Sequence, residues 1–389
     1  MFEEYMIQIG FSEDEIKNIM RIYPKSQYSP STLLYNLKNL HHFFLRNGIT
    51  NSNFVKIIIT IPHIFFMSTE NIKLKIQELV DIGFKRIDVF QIINNYPYLL
   101  DLSFNRINNK LEKYTTLDFS MKEVISIFTS YPILFSEDFS KIKKHYNYFL
   151  EIGYSNKDLN YIILSLPEIL LLPAKDIQKK FTDFSLLGFQ KNDIIRITKV
   201  LPNVFLNDIS FIKDKFQTLI DFGYTELDIT YMIKKLPILL KENYLGRISK
   251  HLDEFLSLGF TNNDIIFITC NNPYLFVYPF DNMKNNFTCL KEFNFSNEEI
   301  ISLLKEAPIL LGYDIENIKE KYDFYHDLLL EKVLVKNPIY FTYSLDLIRS
   351  RYAYLKELNQ EDYSDLFLTD SEFFKKYHIS KGDLLRRYF

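Results

Sequence analysis

The sequence predicts an all-α fold, a solenoid (superhelix) of about nine helical repeats of about 35 residues each. Three observations predict it: a glycine followed by an aromatic or apolar residue recurs at seven positions, a proline follows each of these seven after fourteen residues, and apolar residues between them recur at helical spacing. A single unit of this size cannot bury its own apolar face, whereas stacked units bury a continuous core.

The glycine and the proline keep one register through most of the chain. Six units have a glycine before Phe or Tyr: Gly10 with Pro24, Gly83 with Pro97, Gly153 with Pro167, Gly188 with Pro202, Gly223 with Pro237 and Gly259 with Pro273. Three further units vary the pattern: Gly48 with Pro62, Asp118 with Pro132 and Asn294 with Pro308. A last register proline, Pro338, opens a terminal half-unit.

Each unit carries the start and stop signals of two helices. The glycine ends one helix in a left-handed conformation, and Asp118 and Asn294 are the residue types that best replace it. Ser or Thr with a carboxylate three residues later, as in Ser120 and Glu123, caps the next helix. The proline stops that first helix and a short apolar tag follows. The second helix then carries an apolar stripe at ten, fourteen and seventeen residues past the proline, for example Ile72, Ile76, Leu79 and Ile142, Tyr146, Phe149.

Composition limits the class of protein. The 389 residues are 47% hydrophobic and 24% charged with a net charge of −3, which excludes a disordered chain and predicts no bulk attraction to polyanions. Cys270 and Cys289 have no metal-binding spacing, so we interpret them as thiols of a reducing compartment. The apolar stretch 54–67 is interrupted by Lys56 and Pro62 and is too short to cross a bilayer, so we expect no membrane partner.

The combination of repeat signals and chain ending resembles the mTERF (mitochondrial transcription termination factor) family. Leu187-Gly188-Phe189 through Pro202-Asn203-Val204-Phe205 is similar to the family motif. The segment around Ser344-Leu345 and the stretch 368–377 are similar to the ending of many members, so the resemblance covers about residues 1 to 378. It implies a curved α-superhelix that binds nucleic acid in organelles and affects transcription termination or initiation, ribosome assembly or RNA splicing.

The resemblance implies a mitochondrial or plastid location and no enzyme activity of the chain itself. The N-terminus shows no transit peptide, so the cytoplasm of a bacterium stays open as the alternative. The residues themselves predict no catalytic site, no cofactor and no metal, because no metalloprotease or phosphate-loop motif occurs. The carboxylates at helix starts are interpreted as caps rather than as acid–base pairs.

Two columns of basic residues recur on the predicted second helices. The first column contains Lys73, Lys143, Lys213, Lys284, Lys319 and Arg349, with Lys38, Asn108, Gln178 and Ser249 in the other units. The second column, two residues further along, contains Lys75, Lys110, Lys180, Lys215, Lys321 and Arg351, with Leu40, His145, His251 and Asn286 in the other units. Positions two apart lie about 200° apart on a helix, so we expect only one column to face a ligand.

These columns, together with the resemblance, predict a nucleic-acid-binding repeat protein. The resemblance implies that it regulates organellar-type gene expression, such as transcription termination. Stacked lysines suit the periodic phosphates of a backbone, with double-stranded DNA favoured and RNA possible. The alternative is a non-catalytic scaffold for a protein partner, which the negative net charge favours. We expect a monomer with an array over residues 1–358 and a C-terminal helical tail over 359–389.

Overall fold

A computed structural model describes residues 1–22, 29–241, 244–360 and 363–388. Their secondary structure is helical without a strand, which confirms the all-α class. The first helices of the repeats, even-numbered here, are α2 Glu13–Ile22, α4 Asn51–Thr60, α6 Arg86–Asn95, α8 Met121–Ser130, α10 Asn156–Ser165, α12 Lys191–Val200, α14 Glu226–Lys235, α16 Asn262–Asn271, α18 Asn297–Glu306 and α20 Glu331–Lys336.

The second helices alternate with them and are odd-numbered. They are α3 Pro30–Arg46, α5 Thr69–Ile82, α7 Phe104–Thr115, α9 Phe139–Ile152, α11 Ala174–Leu186, α13 Ile209–Phe222, α15 Leu245–Ser257, α17 Phe280–Glu292, α19 Ile315–Asp327 and α21 Leu345–Glu357. The helix α1 Phe2–Ile9 precedes the array, and α22 Asp370–Tyr377 and α23 Lys381–Tyr388 follow it. This alternation confirms the predicted helical repeat.

The register prolines end the first helices, as predicted. Tyr96, for example, ends α6 with a non-helical backbone (φ −140°, ψ 75°), since a following proline disfavours the helical conformation. Pro24 lies outside the described residues. Where the sequence predicted only a short apolar tag, the structure has one turn of 3₁₀-helix, here called the proline turn: Pro62–Phe66, Pro97–Asp101, Pro132–Phe135, Pro167–Leu171, Pro202–Phe205, Pro237–Leu240, Pro273–Phe276, Pro308–Gly312 and Pro338–Thr342.

The left-handed positions that end the second helices are also confirmed. Gly153 closes α9 at φ 114°, and Asp118 and Asn294 adopt φ 65° and 64° at the equivalent positions. Leu329 occupies the same position after α19 at φ 57°, where a side chain is strained. The predicted capping boxes form as well; Ser120 and Glu123 at the start of α8 satisfy each other's backbone N–H groups.

The repeats group into two compact units, each with its own packing. Unit 1 comprises Met1–Thr182 and Ile194–Phe205. Within it, neighbouring first helices such as α4, α6 and α8 pack on each other, and so do the second helices α3, α5, α7 and α9. The two layers enclose an aromatic-rich core in which Phe128 packs on Phe135 at 4.6 Å between ring centroids.

Unit 2 comprises Asp183–Asp193 and Leu206–Phe389. Its first helices α14, α16, α18 and α20 pack in succession, and α17 packs on α19. The terminal helix α23 packs against α21, where the Arg387 guanidinium lies 2.5 Å from the Glu357 carboxylate. None of the helices in the described ranges has the length and apolarity needed to cross a membrane.

Candidate nucleic-acid interface

The two basic columns lie on the second helices, and their environments differ. In the first column, Lys73, Lys143, Lys213, Lys284 and Arg349 are exposed and Lys319 is half-buried. In the second column, Lys215, Lys321 and Arg351 are buried, with 2%, 5% and 1% of their surface exposed. Lys75, Lys110 and Lys180 are half-buried. The columns therefore differ in what they present to solvent.

The first column keeps most of its charge available to a ligand. Lys143, Lys213 and Lys284 form no ion pair with any residue in the part of the chain that the structure describes. The Lys73 ammonium lies 2.6 Å from a Glu70 carboxylate oxygen on the same helix, in an exposed pair of the kind that contributes little stability. The Arg349 guanidinium lies 6.0 Å from the centre of the Phe324 ring.

The second column donates hydrogen bonds to the proline turn of the next repeat. The Lys110 ammonium donates to the carbonyl oxygens of Leu134 at 3.3 Å and Phe135 at 2.8 Å. The same contact occurs in other repeats: Lys75 with Leu100, Lys215 with Leu239 at 2.8 Å and Lys321 with Phe341 at 2.6 Å. At the end of the array Arg351 donates to Leu366 at 3.0 Å, in the 3₁₀ turn Ser364–Phe367, which contains no proline. Each side chain thus joins its own repeat to the following one.

Two uncharged members of the second column, Asn286 and His145, make the same kind of contact. The Asn286 amide donates to the carbonyl oxygens of Leu310, Leu311 and Tyr313 at 3.0, 3.2 and 2.7 Å. His145 places Nδ1 2.8 Å from the Leu170 oxygen, so that nitrogen carries the proton. Apart from Leu40, which has no polar side-chain group, what these members of the second column share is therefore an N–H donor rather than a positive charge.

Backbone electrostatics explain the contact. The last carbonyls of a helical turn have no partner within the turn and carry partial negative charge. A buried donor from the preceding repeat satisfies them, which a buried carbonyl requires. Burial lowers the pKa of Lys75, Lys110 and Lys321 because it disfavours the charged form. The second column thus has an evident role in the packing of repeats.

The angle of each column from the buried stripe, read from a helical wheel, predicts which column is more buried. With about 100° per residue, the stripe of α5 (Ile72, Ile76, Leu79) centres roughly 90° from Lys73 and roughly 70° from Lys75. The second column is therefore closer to the buried face. The 200° separation of the columns places them on opposite sides of the stripe, but not at equal angles from it.

Other reactive groups offer little chemistry in the described residues. They contain no group of three or more His, Cys, Asp or Glu side chains placed to hold a metal ion. Burial raises the pKa of the Cys270 thiol to about 12 and also raises that of Cys289, so both cysteines are protonated near neutral pH. Neither thiol has the low pKa of a cysteine nucleophile.

Comparison with known proteins agrees with the repeat architecture. The mTERF family model matches residues 36–186, 175–293 and 287–373, which together span most of the chain. A search of curated proteins found no match. The chain belongs to the mTERF family, whose members are helical repeat proteins that bind nucleic acid.

Proposed function

We propose that this protein binds the phosphate backbone of a nucleic acid through the first column and regulates organellar-type gene expression without catalysing a reaction. Double-stranded DNA is the favoured ligand and RNA is the second. In this proposal the second column supports binding indirectly, by stabilising the stacking of repeats, because Lys75, Lys110, Lys215, Lys321 and Arg351 donate to backbone carbonyls.

The recurrence of exposed cations at one repeat position carries the proposal. From Lys73 to Lys284 the cations occupy every second repeat. Packed helices advance about 10 Å per layer, and B-DNA rises 3.4 Å per base pair, so successive cations correspond to about six base pairs. Such contacts hold a protein on a duplex without reading its sequence. A protein bound in this way obstructs a polymerase, which suits transcription termination in a mitochondrion or plastid.

A charge-neutralising triple variant tests the proposal. Lys143→Gln, Lys213→Gln and Lys284→Gln together remove three exposed cations of the first column. We expect the slope of log K against log salt to shrink by about 2.7 on duplex DNA, since each phosphate contact contributes about 0.9. Binding is measured by electrophoretic shift on duplex DNA, single-stranded DNA and RNA, which also ranks the ligands.

A matched control separates local contact from net charge. The variant Lys56→Gln, Lys122→Gln and Lys157→Gln removes three exposed lysines from the first helices of unit 1. This first-helix control should leave the slope nearly unchanged. An unchanged slope in the first-column triple, with helicity intact by circular dichroism, contradicts the proposal.

The alternative function is a scaffold for a protein partner. The helix α19 favours it, because Glu316, Glu320, Asp323 and Asp327 are all exposed along it and repel a polyanion. The net charge of −3 points the same way. The scaffold function is favoured if the protein binds none of the three nucleic-acid probes at low salt.

A further inference from the structure

Three lysines outside both columns lie on the second helices of two consecutive repeats in unit 1. Lys144 on α9 follows the first-column residue Lys143, and Lys175 and Lys179 lie on α11. All three are exposed. None of them forms an ion pair within the described ranges, whereas Lys141 on α9 lies 3.0 Å from the Glu137 carboxylate.

The three side chains lie on the solvent-facing side of their helices. Each residue turns the helix by about 100°, so Lys144 lies roughly opposite the buried stripe of α9. Lys175 and Lys179 are four residues apart and therefore neighbours on one face of α11. On the same face of α9 the flanking residues are Ser140 and Asn147, and the first acid is Glu151 near the helix end.

Two observations bear on this lysine face (Lys144, Lys175, Lys179). At the repeat positions where α11 carries Lys175 and Lys179, α19 carries Glu316 and Glu320. The face is therefore a local feature and not a property of the repeat. Like charges four residues apart also destabilise a helix, and a bound anion removes that repulsion.

We propose that the lysine face is a second row of phosphate contacts beside the first column, and that it makes this part of unit 1 the anchor for a nucleic-acid backbone. The inference rests on the proposed function. Together with Lys143, the face gives these two repeats four exposed lysines without a carboxylate partner in the described part of the chain, and lysine binds phosphate as a point charge. The contacts would be independent of base sequence.

The test replaces the face and leaves the columns intact. The variant Lys144→Gln, Lys175→Gln and Lys179→Gln is compared with the full wild-type chain on a short duplex DNA of arbitrary sequence. We expect the log–log salt slope to shrink by about 2.7, as for three lost phosphate contacts. The first-helix control (Lys56→Gln, Lys122→Gln, Lys157→Gln) changes the net charge by the same amount and should keep the slope.

The outcomes separate this inference from the proposed function. An unchanged slope in the face variant, with a reduced slope in the first-column triple, overturns the inference and leaves the function standing. Equal losses in the face variant and the first-helix control also overturn it, because the effect is then one of net charge. Unchanged slopes in both the face variant and the first-column triple overturn the function as well.

Discussion

Lys213 and Lys215 lie two residues apart on α13 and meet opposite environments. The first is exposed, and the second is 2% exposed with its ammonium donating to the carbonyl oxygens of Leu239, at 2.8 Å, and Lys241. The same contrast separates the two columns on most second helices. It shows that a recurring lysine is evidence of binding only when its position relative to the buried stripe leaves the ammonium in solvent.

The largest expected effect is on stability. Lys215→Met removes the donor from two carbonyl oxygens and should lower the free energy of unfolding by about 3 kcal/mol, since each buried group left without a partner costs about 1–3 kcal/mol. Lys213→Met should change it by less than about 0.5 kcal/mol. Urea denaturation followed by circular dichroism measures both. If both variants lost the same free energy of unfolding, the two columns would not differ in their contribution to stability.

A second prediction concerns the uncharged donor. Asn286→Leu should destabilise the fold by about 2 kcal/mol, because three carbonyl contacts disappear from a buried site. Its exposed neighbour provides the control, and Asn285→Leu should have little effect. If Asn286→Leu were neutral in the same denaturation experiment, N–H donation would not be what the second column supplies.

A third prediction divides the first column itself. Lys143→Gln should reduce the salt slope of duplex binding by about 0.9, the value for one phosphate contact. Lys319→Gln should reduce it much less, because Lys319 is half-buried and Glu316 and Asp323 lie within one turn of it. Equal slopes for the two variants would show that neighbouring carboxylates do not control the contact.

The smallest expected effect is a pH dependence of stability at the start of the array. Burial lowers the pKa of the His41 imidazole below its ordinary value of 6.5, while Tyr5 and Asn51 hydrogen-bond to its two nitrogens at 2.9 and 2.8 Å. The unfolded chain therefore takes up a proton at this histidine more readily than the folded chain does. The neutral His41 stabilises the folded chain above about pH 6.5, and this contribution is lost as the pH falls.

His41→Gln tests this contribution against an exposed neighbour. The urea concentration at the midpoint of unfolding should decrease less in this variant than in the wild type between about pH 7 and pH 5.5, the range in which an unfolded histidine titrates. His42→Gln is the matched control, because His42 is exposed. If the urea midpoint of His41→Gln depended on pH as strongly as that of the wild type, other groups would be responsible for the pH dependence.

The fold could be predicted from the sequence because its signals are local. A proline stops a helix whatever surrounds it, and a left-handed cap selects Gly, Asp or Asn, as Asp118 and Asn294 confirm. Leu329 adopts the same left-handed conformation without a residue type that favours it, so the packing of the repeat overrides the local preference there. The turn of 3₁₀-helix after each proline has no such local signal.

The candidate site could be predicted only in part. The periodicity located both columns, but the partners of the second column are carbonyl oxygens about 25 residues away, such as Leu100 for Lys75. Backbone carbonyls carry no residue identity, so a reading of residue types could not find them. The lysine face was missed because Lys144, Lys175 and Lys179 do not recur through the array.

The central claim is that the first column meets the ligand while the second column holds the repeats together. Lysine labelling with an amine-reactive reagent, read by mass spectrometry with and without duplex DNA, tests it most directly. We predict that Lys143, Lys213 and Lys284 react quickly in the free protein and are protected by DNA, whereas Lys110, Lys215 and Lys321 react only after unfolding. Fast labelling of the second set in the folded protein, or no protection of the first set by bound DNA, would contradict the account.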